Sequence, residues 1–229
     1  MTVTHSAQTM DLIQAVEQAD SPERLVAAVR ALVASQDEAN IPTLIKVLGY
    51  NNPAAAVLAV DGLVAWGQRA IAPTLEQLDD YNYGARAYSF RALSAIADPQ
   101  ALDALLSAAA TDFAPSVRRA AAKGLGQLRW SCLSSQERSA RQTQTLQVLE
   151  SLLQDSDWSI RYAAIVGLQG LMMPEAQPSA DLREQIQAMF ERLLATDGEG
   201  AVKARVLLAQ RQLTAAWAAD LDAATVEQG

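Results

Sequence analysis

Apolar residues recur at helical intervals from one end of this chain to the other. The pattern predicts a first helix from Thr9 to Gln18, with Leu12, Ile13 and Val16 on one face. Residues 1–8 are polar and are expected outside the helices. Asp20-Ser21-Pro22-Glu23 predicts the next start, with a capping side chain, a proline in the first turn and Glu23 three residues after Asp20. The helix it opens carries Leu25, Val26, Val29, Leu32 and Val33 and is expected to end around Ser35–Asp37.

Beyond it the pattern repeats. Leu48, Leu78, Ala110, Leu153 and Leu194 each close an apolar run, and they stand 30, 32, 43 and 41 residues apart. Fifteen residues after each comes Leu63, Leu93, Leu125, Leu168 or Ala209. Eleven residues after each stand Ala59, Ser89, Ala121, Ala164 and Arg205, so only the last breaks a column of small residues. Eight residues after each stand Ala56, Arg86, Arg118, Arg161 and Val202, and Asp80, Asp112 and Asp155 occupy the second position of the middle units. One inserted residue improves the fifth unit, bringing Lys203 into the arginine column and Val206 into the small one.

Each unit therefore reads as a helical hairpin with a turn at Tyr50–Ala54, Asp80–Gly84, Asp112–Ser116, Asp155–Ser159 or Thr196–Gly200. A single hairpin cannot bury its apolar face, so neighbours must stack. The small column lets helices approach closely, and the leucine column fills the gap behind it. Two connections look long: Arg129–Gln142, and the stretch where Met172-Met173-Pro174 and Pro178 break the helix before Asp181. The architecture expected is one all-α domain, a right-handed α-solenoid with capping helices over 9–37, repeats over 38–213 and an alanine-rich, acidic tail over 214–229, with Trp217 docked or exposed.

Composition narrows what such a stack can do. A net charge of −8 and a pI near 4.7 disfavour nucleic acid and membrane surfaces as partners. One cysteine, Cys132, and one histidine, His5, exclude an internal disulfide and a Cys/His zinc site. No export signal and no run of about 18 apolar residues is visible, which points to a cytoplasmic chain. Phosphate loops, paired catalytic acids and Ser-His-Asp arrangements are not visible either. The aspartate and arginine columns read as an ion-pair ladder that sets the stacking angle, with each aspartate also favourable at a helix start. Five aromatics, Tyr50, Tyr81, Tyr83, Phe113 and Trp158, fall in the expected turns, where stacked turns would form an aromatic rim for a conjugated ligand or a protein. Cys132 reads as an ordinary buried thiol, with transient carriage of a ligand as a thiol adduct the alternative, and Trp130 as a plug for its linker.

The Asp/Arg/small/Leu spacing resembles HEAT-like repeats. The strings YNYGARAYSFRALSAIADPQALDALL and ATDFAPSVRRAAAKGLGQL resemble the phycobilisome lyase-type HEAT family, over roughly residues 10–213. That resemblance implies a cyanobacterial protein of the cytoplasm, near the thylakoid phycobilisomes, that acts as a heterodimer with a longer HEAT-like subunit. The pair attaches phycocyanobilin through a thioether to a cysteine of the phycocyanin alpha chain. The bilin is then a substrate, with no permanently bound cofactor or metal. Isomerising relatives carry adjacent His and Cys, whereas His5 and Cys132 lie far apart here, so isomerase activity is not expected. In this frame Tyr81, Tyr83, Arg86, Tyr88, Arg91, Arg118, Arg119, Trp158 and Arg161 are the candidates to hold the bilin or a partner. Guanidinium forks suit the bilin's propionates, and Asp80 or Tyr81 is the candidate for assisting protonation. A non-enzymatic adaptor for phycobilisome assembly or disassembly is the alternative reading.

Overall fold

The computed structural model describes residues 7–78 and 81–226. The role expected of Asp80 therefore lies outside the described residues, as does His5. Twelve α-helices appear among the described residues, paired as six hairpins, and the chain divides into two compact units, Met1–Ile96 and Ala97–Gly229.

The first unit holds α1 (Ala7–Glu17) with α2 (Pro22–Ala34), α3 (Ile41–Val47) with α4 (Pro53–Trp66), and α5 (Ile71–Glu76) with α6 (Tyr83–Ile96). Its starts are set by short polar side chains. Ser21, rather than Asp20, caps α2 by accepting the Arg24 amide at 3.2 Å, while Asp20 pairs with the Arg24 side chain at 2.9 Å. Asn52 and Asn82 do the same job one repeat apart. Each accepts an amide three residues on, from Ala55 at 3.1 Å and from Ala85 at 3.0 Å. Each also donates its amide nitrogen to a carbonyl of the preceding hairpin, Pro22 and Gly49, both at 3.2 Å. The asparagine thus caps its own helix and stitches it to its neighbour. Helix B of the second hairpin is almost entirely alanine and valine on its packed side: Ala55, Ala56, Ala59, Val60 and Leu63 are buried. At Gly62 a Cβ would stand 2.7 Å from Val33, so α2 and α4 meet where a side chain is missing. Pro53–Glu76 is long and apolar enough by mean composition to cross a membrane, although Asp61, Gln68 and Arg69 interrupt its apolar residues. It is nonetheless two helices, separated at Gly67, whose φ of 56° ends α4, and its apolar side belongs to the core of the unit.

The second unit holds α7 (Leu102–Thr111) with α8 (Pro115–Gln127), α9 (Ser135–Leu152) with α10 (Trp158–Met172), and α11 (Ala180–Thr196) with α12 (Gly200–Val226). Here aspartate replaces asparagine in the turns. Asp112, Asp155 and Asp197 each accept the amide two residues on, at 2.8 Å, and so fold the turn that leads into helix B. Where α8 crosses α10 the contact is backbone on backbone. A Cβ on Gly126 would lie 2.8 Å from the Cα of Gly167, and one on Gly170 would lie 2.7 Å from the Cα of Gly126. Ala121, Ala122, Leu125, Ala163, Ala164 and Leu168 close over this crossing without exposure.

Several boundaries differ from the sequence reading. Tyr83 and Gly84 already belong to α6, and Trp158 and Ser159 to α10, because the capping side chains sit one or two residues earlier than the turn residues suggested. The long linker Arg129–Gln142 shrinks: Ser134 and Glu137 form a capping box that starts α9 at Ser135. Trp130 is buried as expected, but Cys132 is exposed in the short turn beside it, so the core reading of the thiol fails. The residues of the alanine-rich tail continue the last helix. α12 runs on to Val226, and Trp217 docks, donating its indole N–H to the Met172 carbonyl at 3.0 Å under the Arg183 guanidinium.

Candidate functional site

The ladder is built in the second unit, between neighbouring hairpins. Arg118 reaches the Asp155 carboxylate at 2.6 Å and its own hairpin's Ala109 carbonyl at 3.2 Å. Arg161 repeats the arrangement one hairpin on, forking onto Asp197 at 2.8 and 3.0 Å and donating to the Asp155 carbonyl at 2.8 Å. The Arg161 hydrogen bonds hold the Asp197 carboxyl below the usual carboxylate range, against the effect of burial, and Asp197 in turn raises Arg161. Asp197, not noticed in the sequence, is the missing member of the aspartate column. It stands six residues before Lys203, which supports the inserted residue in the last unit. Beside this pair lies a cleft of about 310 Å³ lined by Asp155, Arg161, Met189, Leu193 and Asp197.

Among the other arginines, Arg86 is buried in the first unit. Arg91 is exposed and lies over the half-buried Tyr88 ring, 5.1 Å from its centre. Arg119 donates to the Ser159 hydroxyl at 2.8 Å, and that hydroxyl donates to Asp157 at 2.6 Å. Those Ser159 bonds, then the charge of Arg119, keep the Asp157 carboxyl low.

The aromatics at the hairpin turns are exposed. Tyr81 is 96%, Phe113 74%, Tyr83 57%, Trp158 45% and Tyr50 37% open. In the first unit Tyr50 also borders a cleft of about 370 Å³ with Gly49, Asn82 and Ser89. In each unit, then, the turn edge carries aromatic surface that no core requires. These groups can stack and hydrogen-bond. Among the described residues there is no cluster of three metal-ligating side chains.

The sequence reading missed one group. Trp158 packs edge-on against Tyr162, one turn along α10, with ring centres 6.4 Å apart. Arg205, on α12, lies over the same Tyr162 ring at 5.8 Å and donates to Gln169, which is itself bonded to Gln212 at 2.9 Å. Arg205 is buried, its Nη1 has no hydrogen-bond partner among the described residues, and burial pushes its pKa down. The one available signal was its break in the small-residue column, which the inserted residue then explained away.

Hairpins stitched by capping asparagines and an Asp–Arg ladder define a HEAT-type repeat protein, and the comparisons agree. A model of HEAT repeats matches residues 41–126 and 71–166, and one of the PBS lyase HEAT-like repeat matches residues 25–50. A designed armadillo repeat protein, 17% identical, aligns over 91% of this chain and 100% of its own with a TM-score of 0.57, a likeness of fold alone. Closer relatives narrow the class. The phycocyanobilin lyase subunit beta of Nostoc sp. PCC 7120 is 56% identical over 205 residues, 89% of this chain and 100% of that one. The phycobilisome maturation protein of Synechococcus elongatus is 51% identical over 206 residues, 90% and 98% of the two chains. A chain in the solved complex of CpcE and CpcF of phycocyanin lyase from Nostoc is 57% identical, covers 76% of this chain and 99% of that one, and has a TM-score of 0.71. The chain belongs to the phycocyanobilin lyase beta-subunit family of HEAT-like repeat proteins.

Proposed function

We propose that this chain is the smaller subunit of a bilin lyase. With a longer HEAT-like subunit it attaches phycocyanobilin to a cysteine of the phycocyanin alpha chain. The observation that carries the reading is the correspondence with the phycocyanobilin lyase subunit beta along that protein's whole length. The bilin is substrate rather than resident cofactor, the reaction takes place in the cytoplasm, and it proceeds without isomerisation of the bilin. In the addition, the acceptor sulfur bonds to the ethylidene carbon of the bilin. The π pair passes into the ring system and a proton is added to the ring carbon. Nothing leaves and nothing is oxidised or reduced.

The work of such a lyase is positional: one bilin conformer is held, and one face of it is offered to the acceptor thiol. In the first unit the exposed Tyr81, Tyr83 and Arg91 are suited to such a contact, and in the second the exposed Trp158 and partly exposed Arg119 are. Arg86, Arg118 and Arg161 serve the stack, being buried or engaged with carboxylates. The test is co-expression with the longer subunit and the phycocyanin alpha chain in a bilin-producing bacterium. A covalently coloured alpha chain that depends on this chain is expected. Stable complex formation with no colour, under conditions where an established lyase pair gives colour, would overturn the reading in favour of an adaptor.

A further inference from the structure

Burying a charge without a counter-charge is among the most costly things a fold can do. In the second unit the arginines of the ladder avoid it: Arg118 and Arg161 each face a carboxylate. Arg205 does not. It is only 6% exposed, no carboxylate lies within ion-pair distance of it among the described residues, and its polar partner is the neutral Gln169. Its Nη1 is buried with no acceptor among the described residues. The chain carries 26 acidic residues against 18 basic ones, so a missing acid is not a matter of supply. Nor does the repeat require an arginine here, since Val206 occupies the packing column beside it and is fully buried. The cover over the guanidinium is a half-buried aromatic ring, Tyr162, itself set edge-on by the exposed Trp158. Tyr162 is only partly covered, and accessible side chains change rotamer faster than collective backbone motions occur.

We propose that Arg205 is a binding residue for a carboxylate of the substrate, a propionate of the bilin, which it receives when Tyr162 turns aside. This rests on the lyase reading above. Gln169, bonded to Gln212, holds one edge of the guanidinium and leaves the other for the incoming oxygen atoms, and the displaced Tyr162 ring supplies a stacking surface for the tetrapyrrole. A planar guanidinium matches a carboxylate with two parallel hydrogen bonds, which a lysine cannot reproduce.

The experiment is a chemical double-mutant cycle on the complex of this chain with the longer subunit. Phycocyanobilin and its dimethyl ester, which keeps the chromophore and removes both negative charges, are titrated by visible absorbance into wild type, Arg205→Met and Arg205→Lys. Wild type is expected to bind the free acid roughly 10- to 100-fold more tightly than the diester, the range for hydrogen bonds to a charged group. Arg205→Met should lose most of that preference and bind the two forms nearly alike, and Arg205→Lys should fall between. The bilin-free Arg205→Met chain should melt at or above the wild-type temperature, because an unpaired buried charge has been replaced by an apolar side chain. An acid-to-ester ratio unchanged by Arg205→Met overturns the proposal, as does a lower affinity for the longer subunit with that ratio intact, which would assign Arg205 to a carboxylate of the partner. Binding of neither bilin form to the wild-type complex would overturn the lyase reading itself, which separates the two failures.

Discussion

Gly170→Ala sets two effects of opposite sign against each other. Alanine is the better helix former by about 1 kcal/mol, so on an open helix face the change would stabilise. Gly170 is not on an open face. The new Cβ would stand 2.5 Å from the carbonyl carbon of Gly126 and 2.7 Å from its Cα, and both are backbone that no rotamer change can move. The Gly126 carbonyl oxygen would lie closer still, so for the contact to become ordinary α8 and α10 must part by more than about 1 Å. A gap of that size forfeits at least a quarter to a half of the dispersion energy of each atom pair it opens. The pairs affected surround Ala122, Leu125, Ala163, Ala164 and Leu168, none of which is exposed. Overpacking of a tight core typically costs about 1–3 kcal/mol, and a rigid backbone-on-backbone crossing belongs at the upper end. The clash therefore outweighs the propensity gain, leaving a net loss of about 2 kcal/mol. In thermal unfolding followed by helical circular dichroism, that is a fall of roughly 4–8 °C in the midpoint. Gly198→Ala is the matched control: nothing lies within 4 Å of its Cβ position and its φ is not positive, so it should gain about 0.4–1 kcal/mol. A Gly170→Ala midpoint equal to or above wild type would refute the argument that α8 and α10 meet backbone to backbone.

Other expectations follow from the ladder, the turn edges and the C-terminal helix. Asp197→Ala strands the nearly buried Arg161 and should cost about 3–5 kcal/mol by urea unfolding, whereas the double variant with Arg161→Met should recover much of that loss. Because the Asp197 carboxyl is held low in the fold, its contribution is present above the unfolded-state pKa of about 3.9. That contribution should fade as pH falls through the lower folded value, and Asp197→Ala should lose this acid limb of the stability profile. Tyr81→Ala and Tyr83→Ala should leave the free energy of unfolding within about 0.5 kcal/mol of wild type, as exposed positions do, while lowering the chromophorylation rate several-fold with the longer subunit present. Arg86→Ala should instead be read as a folding defect, visible in the melt before any assay of activity. Trp217→Ala removes the indole bond to Met172 and the Arg183 stack, and should speed hydrogen exchange in α12 beyond Leu213 without changing exchange in α8.

The hairpins were legible because their evidence is periodic: a small residue, then a leucine four positions on, recurs where helix B packs, and packing is what selects those residues. Helix starts were read late for a local reason. Asn82 and Asp157 act as caps through a single side-chain oxygen, and the residues after them, Tyr83-Gly84 and Trp158-Ser159, look like turn residues although they already sit in the helix. α9 hid for a different reason. Its first half, SQERSARQ, is polar and, apart from the buried Gln142, largely open to solvent, so no apolar stripe announces it, and only the Ser134–Glu137 box marks its start. Cys132 was misjudged because exposure depends on which side of a short turn a residue falls, and neighbouring Trp130 took the inward side.

The site divides along the same line. The arginine ladder could be read because Arg and Asp recur at a fixed separation of six, and recurrence of that kind belongs to stacking rather than to chemistry. Arg205 shows the converse. Once one inserted residue restores the columns, Val206 does the packing and Arg205 has no place in the repeat at all. A repeat explains the residues that come back, so the residues free to bind are those that occur once and resist the register. By that criterion Tyr81 and Tyr83 stand out on the exposed edge of the first unit, and Arg205 with Tyr162 stands out in the second. The difference between them is burial, which no single position encodes. An exposed tyrosine costs the fold nothing and can persist without function, whereas an unpaired buried guanidinium lowers stability in every molecule that carries it. If Arg205→Met raises the melting temperature and abolishes the preference for the charged bilin, the cost and the use will have been measured on the same side chain.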